Sequence, residues 1–499
     1  MRRLAPVLLL LACGPDLPTP GDGSTSDIPG SSSAPSPTNT SGSPATTNTP
    51  TNATTSAPDD NTSTTLDPPA TTSTTTGEPT LCGPACAELR DITGNLEIEP
   101  GTDPQTFACV RRIDGDLEIH DLADGDILAH LGNLEEVTGG VTIRDNAGLT
   151  DVPGLGCLRS VGALRIQDNG ALTSLAGLAG LRNAGSLSLQ DNGALTSLAG
   201  LADLRRAGGI YLDGLPVLSE LPAWTFEPDN ALGGLSFIDL PALTDLDVFA
   251  GMTTTNGEFY FTAIGCPALT SVVGVGDLLR SADPVFVYLR DLATLTDLAG
   301  LDGVPAFNNL DLLSLPQLAS LAELEGTQTI HTLNASSLPK LADLHGLEDL
   351  AETDILALAD LPLLTDMSAL SALTNIAVLS LDRLPALPDL SGLSSLHTIS
   401  IQLSLGSCDD SPDAGLDKLV DLTGLDNLEV ALNVVIGNND DFAGFTGAPK
   451  LATVSELHAV HNPSLAPGTL AAWAATLDPT PILCESQDLD MCSCFVFDP

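Results

Sequence analysis

Carboxylates are the most abundant groups that could do chemistry: 65 Asp and Glu face 17 Lys and Arg, giving the 499 residues a formal charge of −48. A glycosidase-like acid pair can be drawn almost anywhere among so many, so it selects nothing. Spacing is more informative. Asp151, Asp245, Asp297, Asp343, Asp366, Asp389 and Asp421 share one position of a recurring unit, just before an apolar residue. An Asp there accepts hydrogen bonds from its own turn backbone, as Thr and Ser do at Thr173-Ser174, so these are read as turn residues rather than metal ligands. Asp409, Asp410, Asp413 and Asp417 crowd an acidic insertion at 405–418, without the Asp-x-Asp-x-Asp-Gly pattern of a calcium loop. His458 and His461 are three apart, which sends two rings to opposite sides of a strand. Lys340, Lys418 and Lys450, the three lysines, lie outside any phosphate-loop context, and neither His-Glu-x-x-His nor Gly-x-Ser-x-Gly occurs. No catalytic residue, metal or cofactor is expected, and bulk charge disfavours nucleic acid.

Cysteines are the other reactive group, and their placement gives an address. Two arginines and a short apolar run end in Leu10-Leu11-Ala12-Cys13. The run is too short to span a bilayer and suits a signal peptide. Its ending resembles the lipobox of bacterial lipoproteins, which implies acylation at Cys13 and an outer-membrane lipoprotein of the cell envelope, exposed at the surface; plain secretion is the alternative. Residues 14–80 are rich in Ser, Thr and Pro, with no Lys or Arg. They cannot bury enough surface to fold and read as a disordered linker. Cys82, Cys86 and Cys109 precede the repeats, and Cys484, Cys492 and Cys494 follow them. Solenoid ends expose core and strand edges, so disulfide-stapled caps are expected there, with Cys109 paired to Cys82 or Cys86 and Cys484 to Cys492 or Cys494. Cys266 reads as a buried small hydrophobe.

The element that positions everything else is the repeat. Val141-Thr-Ile143, Leu164-Arg-Ile166, Leu187-Ser-Leu189 and Ile210-Tyr-Leu212 recur at steps of 23, and 170–178 and 193–201 are nearly the same text. The series extends from Leu96-Glu-Ile98 to Leu457-His-Ala459, with Ile399-Ser-Ile401 as one strand. Such a period predicts a mainly β, leucine-rich, right-handed β-solenoid of about 16 turns. The boundaries are a cap with the first turn at 81–116, the solenoid at 117–466 and a C-terminal cap at 467–499. Each strand points two apolar residues inward. Three residues on, an inward column holds Asn146, Asn169, Asn192, Asn439 and Asn462 near the ends and leucines between, and prolines follow that column. An inward Asn satisfies backbone groups at the bend.

Val137-Thr-Gly139-Gly-Val141-Thr-Ile143-Arg-Asp-Asn146-Ala-Gly-Leu149 resembles the receptor L-domain, the leucine-rich solenoid of growth-factor and insulin-type receptor ectodomains. The resemblance covers roughly 90–466 and implies extracellular recognition without catalysis. No Cys-rich module or kinase accompanies it, so signalling is not implied. Phe237 and Phe261 read as core, whereas Tyr211 and Tyr288 fall at outward strand positions. With Arg144, Arg165, Gln167, Gln190, Asp213 and Arg290 they form a candidate ligand strip, of the composition seen in binding hot spots. The expected function is recognition of an extracellular protein or glycan by a protein held to the membrane through its lipid. The alternatives are a structural or adhesive rod and, more remotely, a β-helix enzyme acting on polysaccharide. That enzyme would need bases beside acids, yet only Lys418 and Lys450 follow Arg383 as strong bases.

Overall fold

A computed structural model describes residues 83, 86–407 and 415–484. The chain divides into two units, residues 1–80 and 81–499, and the described residues belong to the second. Cys13, the linker 14–80, Cys82, Asp409, Asp410, Asp413, Cys492 and Cys494 lie outside the described residues, as does the side chain of Cys484.

Among the described residues all 21 strands belong to one sheet, and every pairing is parallel to a neighbour one turn away in sequence. Leu187-Ser-Leu189 lies between Leu164-Arg-Ile166 and Ile210-Tyr-Leu212, residue for residue. The same register runs from Leu96↔Leu117 through Leu310↔Leu333 and Leu356↔Leu379 to Val434↔Leu457. The chain is a leucine-rich β-solenoid. Ile482–Cys484 adds one further rung, pairing with Glu456–His458, beyond the last strand expected from sequence.

One strand was misplaced by the sequence pattern. Leu379 pairs with Leu403 and Leu381 with Leu405, so the rung is Leu403-Ser-Leu405 rather than Ile399-Ser-Ile401. Ile399 pairs instead with Ile376, after which the register shifts, and Ile401 is exposed. Both triplets are apolar-x-apolar, so alternation could not choose between them. Continuity with the next turn does: Leu403↔Val434 and Leu405↔Ile436 carry the ladder on. A second, shorter ladder was also missed, at the corner before the main strand, linking Val137, Val161, Ala184 and Ala207.

The interior is a continuous stack. Leu164, Ile166, Leu172, Leu175, Leu178 and Leu181, from a single turn, are all buried, and they belong to one core cluster spanning Ile98 to Leu477. No turn closes that core alone, so stability comes from neighbours shared. The side opposite the main strands bends through short 3₁₀ segments such as Ala176–Leu178, Ala199–Leu201 and Ser391–Leu393.

The asparagine column works as expected. Asn169 is fully buried, and its Nδ2 donates to Ile143 O (3.0 Å) and Gln167 O (2.8 Å). Its Oδ1 accepts from the Asn146 backbone N–H (3.1 Å), and Asn192 repeats the pattern one turn on. Cys266 fills the same place with a thiol whose Sγ lies 3.5 Å from Ile264 O, buried and free, its pKa pushed up to about 11 by burial.

Two recurring columns hold part of the acidity. In the first, Asp366, Asp389 and Asp421 accept from the backbone N–H two residues on, at 2.7, 2.9 and 2.9 Å. Ser174 and Ser197 do the same for Ala176 and Ala199. The second column was not anticipated. Asp121, Asp145, Asp168, Asp191, Asp239, Asp291 and Asp360 all have positive φ, immediately after the strand, with Ser314, Ser337, Arg383, Asn438 and His461 in equivalent places. Asp, Asn and Ser side chains tolerate that left-handed geometry better than branched ones. Their N–H groups reach the next turn, as Asp191 N does to Asp213 O (3.0 Å).

At the N-terminal end Cys86 is bonded to Cys109, one of the two pairings the sequence left open. Cys157, inside the 117–466 solenoid, is also disulfide-bonded, so the bonds are not confined to the caps as expected.

Candidate functional site

The outward strand face is built by alternation. Residues two apart on each strand share a face, and parallel register stacks them into columns. One column runs Thr142, Arg165, Ser188, Tyr211, Ser236, Thr262, Tyr288. Its neighbour runs Arg144, Gln167, Gln190, Asp213, Ile238, Ile264, Arg290. All eight residues of the expected ligand strip therefore lie on one face. They do not form a single cluster, because Tyr211 and Tyr288 are three turns apart, roughly 14 Å.

Pairing changes the electrostatic picture. Arg144 is held by Glu118 (2.7 Å) and Asp145 (2.8 Å). Arg290 is held by Asp311, whose carboxylate is nearly buried and has its pKa raised by that burial. Arg165 is exposed and makes no ion pair among the described residues. Of the three arginines, one is left to meet a ligand's charge. The Tyr211 hydroxyl donates to Asp213 Oδ2 (2.7 Å); burial and that bond push its pKa up to about 12.

Tyr260 and Phe286 complete the face and were not assigned to it from sequence. They precede Thr262 and Tyr288 by two residues, so the alternation that placed those two outward places them outward too. Their rings stack with centroids 4.4 Å apart at 4°, and Tyr260 is 42% exposed. On the other side Tyr260 pairs with Gly234, which has no side chain. The result is a hollow of about 340 Å³, floored by Gly209 and Gly234, walled by Tyr211 and Tyr260 and edged by Ser188, Ser236 and Thr262. Phe237 and Phe261 point inward and are fully buried, as expected.

A second concavity, about 690 Å³, follows the positive-φ column. Pro316, Pro339, Pro362 and Pro385 pave it, and Asp291 and Arg383 lie toward its ends. Arg383 is bridged to Asp360 (2.5 Å).

Among the described residues, metal-ligand reach joins Glu97, Glu99 and His120. Buried His120 places Nε2 at 2.8 Å from Glu97 and Nδ1 at 2.8 Å from Asp121. Hydrogen bonds to Asp121 and Glu97 raise its pKa, which favours an ion-paired ring over a neutral, metal-ligating one. His458 lies 3.7 Å from Glu456, and His461 sits in the positive-φ column.

No family model and no curated protein matches the chain. Among solved structures, the crystal structure of a TLR13–ssRNA13 complex is similar at 11% identity and a TM-score of 0.30, over 79% of this chain and 83% of that one. The fold assignment rests on the strand register above. No helix among the described residues is long and apolar enough to cross a membrane.

Proposed function

We propose that the protein is a non-catalytic recognition module, displayed at the outer surface of a cell envelope by a lipid on Cys13 and held off the membrane by residues 14–80. One observation carries this reading. The outward strand face, which solubility alone would fill with small polar residues, presents Tyr211, Tyr260, Phe286 and Tyr288, with half-exposed Ile238 and Ile264 beside them. Large amphipathic rings on a rigid sheet give contact area at low entropic cost. Arg144 and Arg290 are neutralised by Glu118 and Asp311 and steady that face rather than supplying acid–base chemistry.

The partner is a glycan or an extracellular protein. An adhesive rod remains the second reading, favoured by the unbroken ladder from Leu96 to Leu483. The anchor is tested by expressing wild type and Cys13→Ser in a lipoprotein-processing bacterium. Membrane partition and palmitate labelling of the wild type alone is expected; equal soluble, unlabelled behaviour of both contradicts it. Recognition is tested by capturing wild type and a Tyr211→Ala/Tyr288→Ala variant on intact cells and cell-wall fractions. Equal capture removes the aromatic face from the function and leaves the rod.

A further inference from the structure

We propose that the hollow between Tyr211 and Tyr260 binds a neutral carbohydrate, with a sugar ring lying against the free face of Tyr260. The inference deepens the recognition reading and rests on it.

The first observation is the exposed ring. Phe286 covers one face of Tyr260, and the strand partner on the other side is Gly234, so the second face looks along the solenoid into open space. Flat apolar faces of pyranose rings stack on such platforms, since their axial C–H bonds present an apolar patch to a negative π-face.

The second is Gly209. Its φ is not positive, and a Cβ added there would meet nothing closer than the Gly234 carbonyl oxygen at 3.7 Å, ordinary contact. Neither backbone geometry nor crowding requires glycine at this position. What a side chain would do is fill the hollow.

The third is the polar rim. The hydroxyls of Ser188, Ser236 and Thr262 make no side-chain hydrogen bond among the described residues, while Tyr211 O–H is oriented by Asp213. A purely apolar ligand would desolvate these groups without return, whereas sugar hydroxyls match them.

Charge decides between sugars. Asp213 stands beside the hollow, and Asp191 close by has its carboxyl pKa raised by burial and by Asp168, Asp213 and Asp239. An anionic glycan would meet that carboxylate cluster with one unpaired arginine, Arg165, a turn below Ser188. A neutral ring meets no such repulsion. At about 340 Å³ the hollow lies at the small end of the range for ligand sites, ~300–1,000 Å³, a size for one or two rings.

The test uses the full chain and a panel of soluble oligosaccharides: cello-, laminari-, manno- and chito-tetraose as neutral probes, oligogalacturonate and heparin fragments as anionic ones, read by calorimetry. At least one neutral probe is expected to bind. Tyr260→Ala and Gly209→Val should each weaken it tenfold or more, while Leu363→Ser, on the exposed surface elsewhere, leaves it within twofold. Circular dichroism checks that the variants are folded, and Gly209→Val keeps every existing side chain. The proposal is overturned if no neutral probe binds, if only anionic probes do, or if both substitutions leave affinity unchanged. A protein partner lost on Tyr288→Ala, with no sugar competing, would overturn the carbohydrate assignment and leave the recognition reading standing.

Discussion

Replacing Asn169 by Leu should destabilise its end of the solenoid, although Leu occupies the same column at Leu215, Leu240 and Leu315. Asn169 is fully buried. Its removal takes the acceptor from two buried donors, the Asn146 backbone N–H (3.1 Å) and Asn146 Nδ2 (3.0 Å), while Ile143 O stays within the strand ladder to residues 160–167. Gln167 O keeps a partner in Asp145 N. Two buried polar groups stripped of these bonds cost about 1–3 kcal/mol each. The leucine returns roughly 1.5–3 kcal/mol by burial. The difference is about 2 kcal/mol of local destabilisation, or a ~30-fold larger opening equilibrium at 1.4 kcal/mol per decade. Asn169→Ala, without the leucine's burial, should cost about 4 kcal/mol. Stacked turns open as neighbouring units, so a global melting curve is the wrong readout. Hydrogen exchange resolved to residues 141–192 is the right one. If Asn169→Leu exchanges at the wild-type rate there, the column is not a backbone-satisfying ladder and the role given to Asn146, Asn169 and Asn192 is wrong.

Three other outcomes follow from the same geometry. Asp366→Ala should cost about 1 kcal/mol by removing the acceptor for Ser368 N, whereas Asp366→Ser should stay within about 0.5 kcal/mol, both read by local exchange; equal losses would return the acidic column to metal binding. His120 has a folded pKa raised above its usual 6.5, so its contribution is complete below that value and fades as pH rises through the folded one; the first turns of wild type should open faster at high pH by more than those of His120→Gln, and parallel pH profiles would contradict this. Cys266 should resist a thiol reagent at pH 8 in the folded protein and react once it is denatured, because burial holds its pKa near 11; labelling of the native protein at Cys266 would show that its turn opens.

The repeat was legible because it is written nearly verbatim. Leu164, Leu187 and Ile210 stand 23 apart and pair as that spacing requires. Their buried leucines and the hydrogen-bonding Asp column followed from position alone. The pattern failed where two apolar-x-apolar triplets competed, at Ile399-Ser-Ile401 against Leu403-Ser-Leu405, since only the neighbouring turn breaks that tie. The positive-φ column went unseen because Asp, Ser and Asn serve equally well in ordinary turns. The charge on the outward face was overestimated for a different reason. Besides the adjacent Asp145, the partners of Arg144 and Arg290 are 26 and 21 residues away, at Glu118 and Asp311, and those two come into view only when the turns are laid side by side. Tyr260 and Phe286 were recoverable by stepping two residues back from Thr262 and Tyr288.

The most direct test of the outward aromatic face as the recognition surface is site-specific photo-cross-linking on the displayed protein. A benzophenone amino acid at Ser236, between Tyr211 and Tyr260, is compared with one at Pro339 in the proline-paved groove. Benzophenone inserts into C–H bonds of protein and sugar alike, so the partner's identity need not be known. Adducts from position 236, lost when Tyr260→Ala is added, are the expected result. Adducts from position 339 and none from 236 would place recognition in the groove and contradict the reading of the strand face.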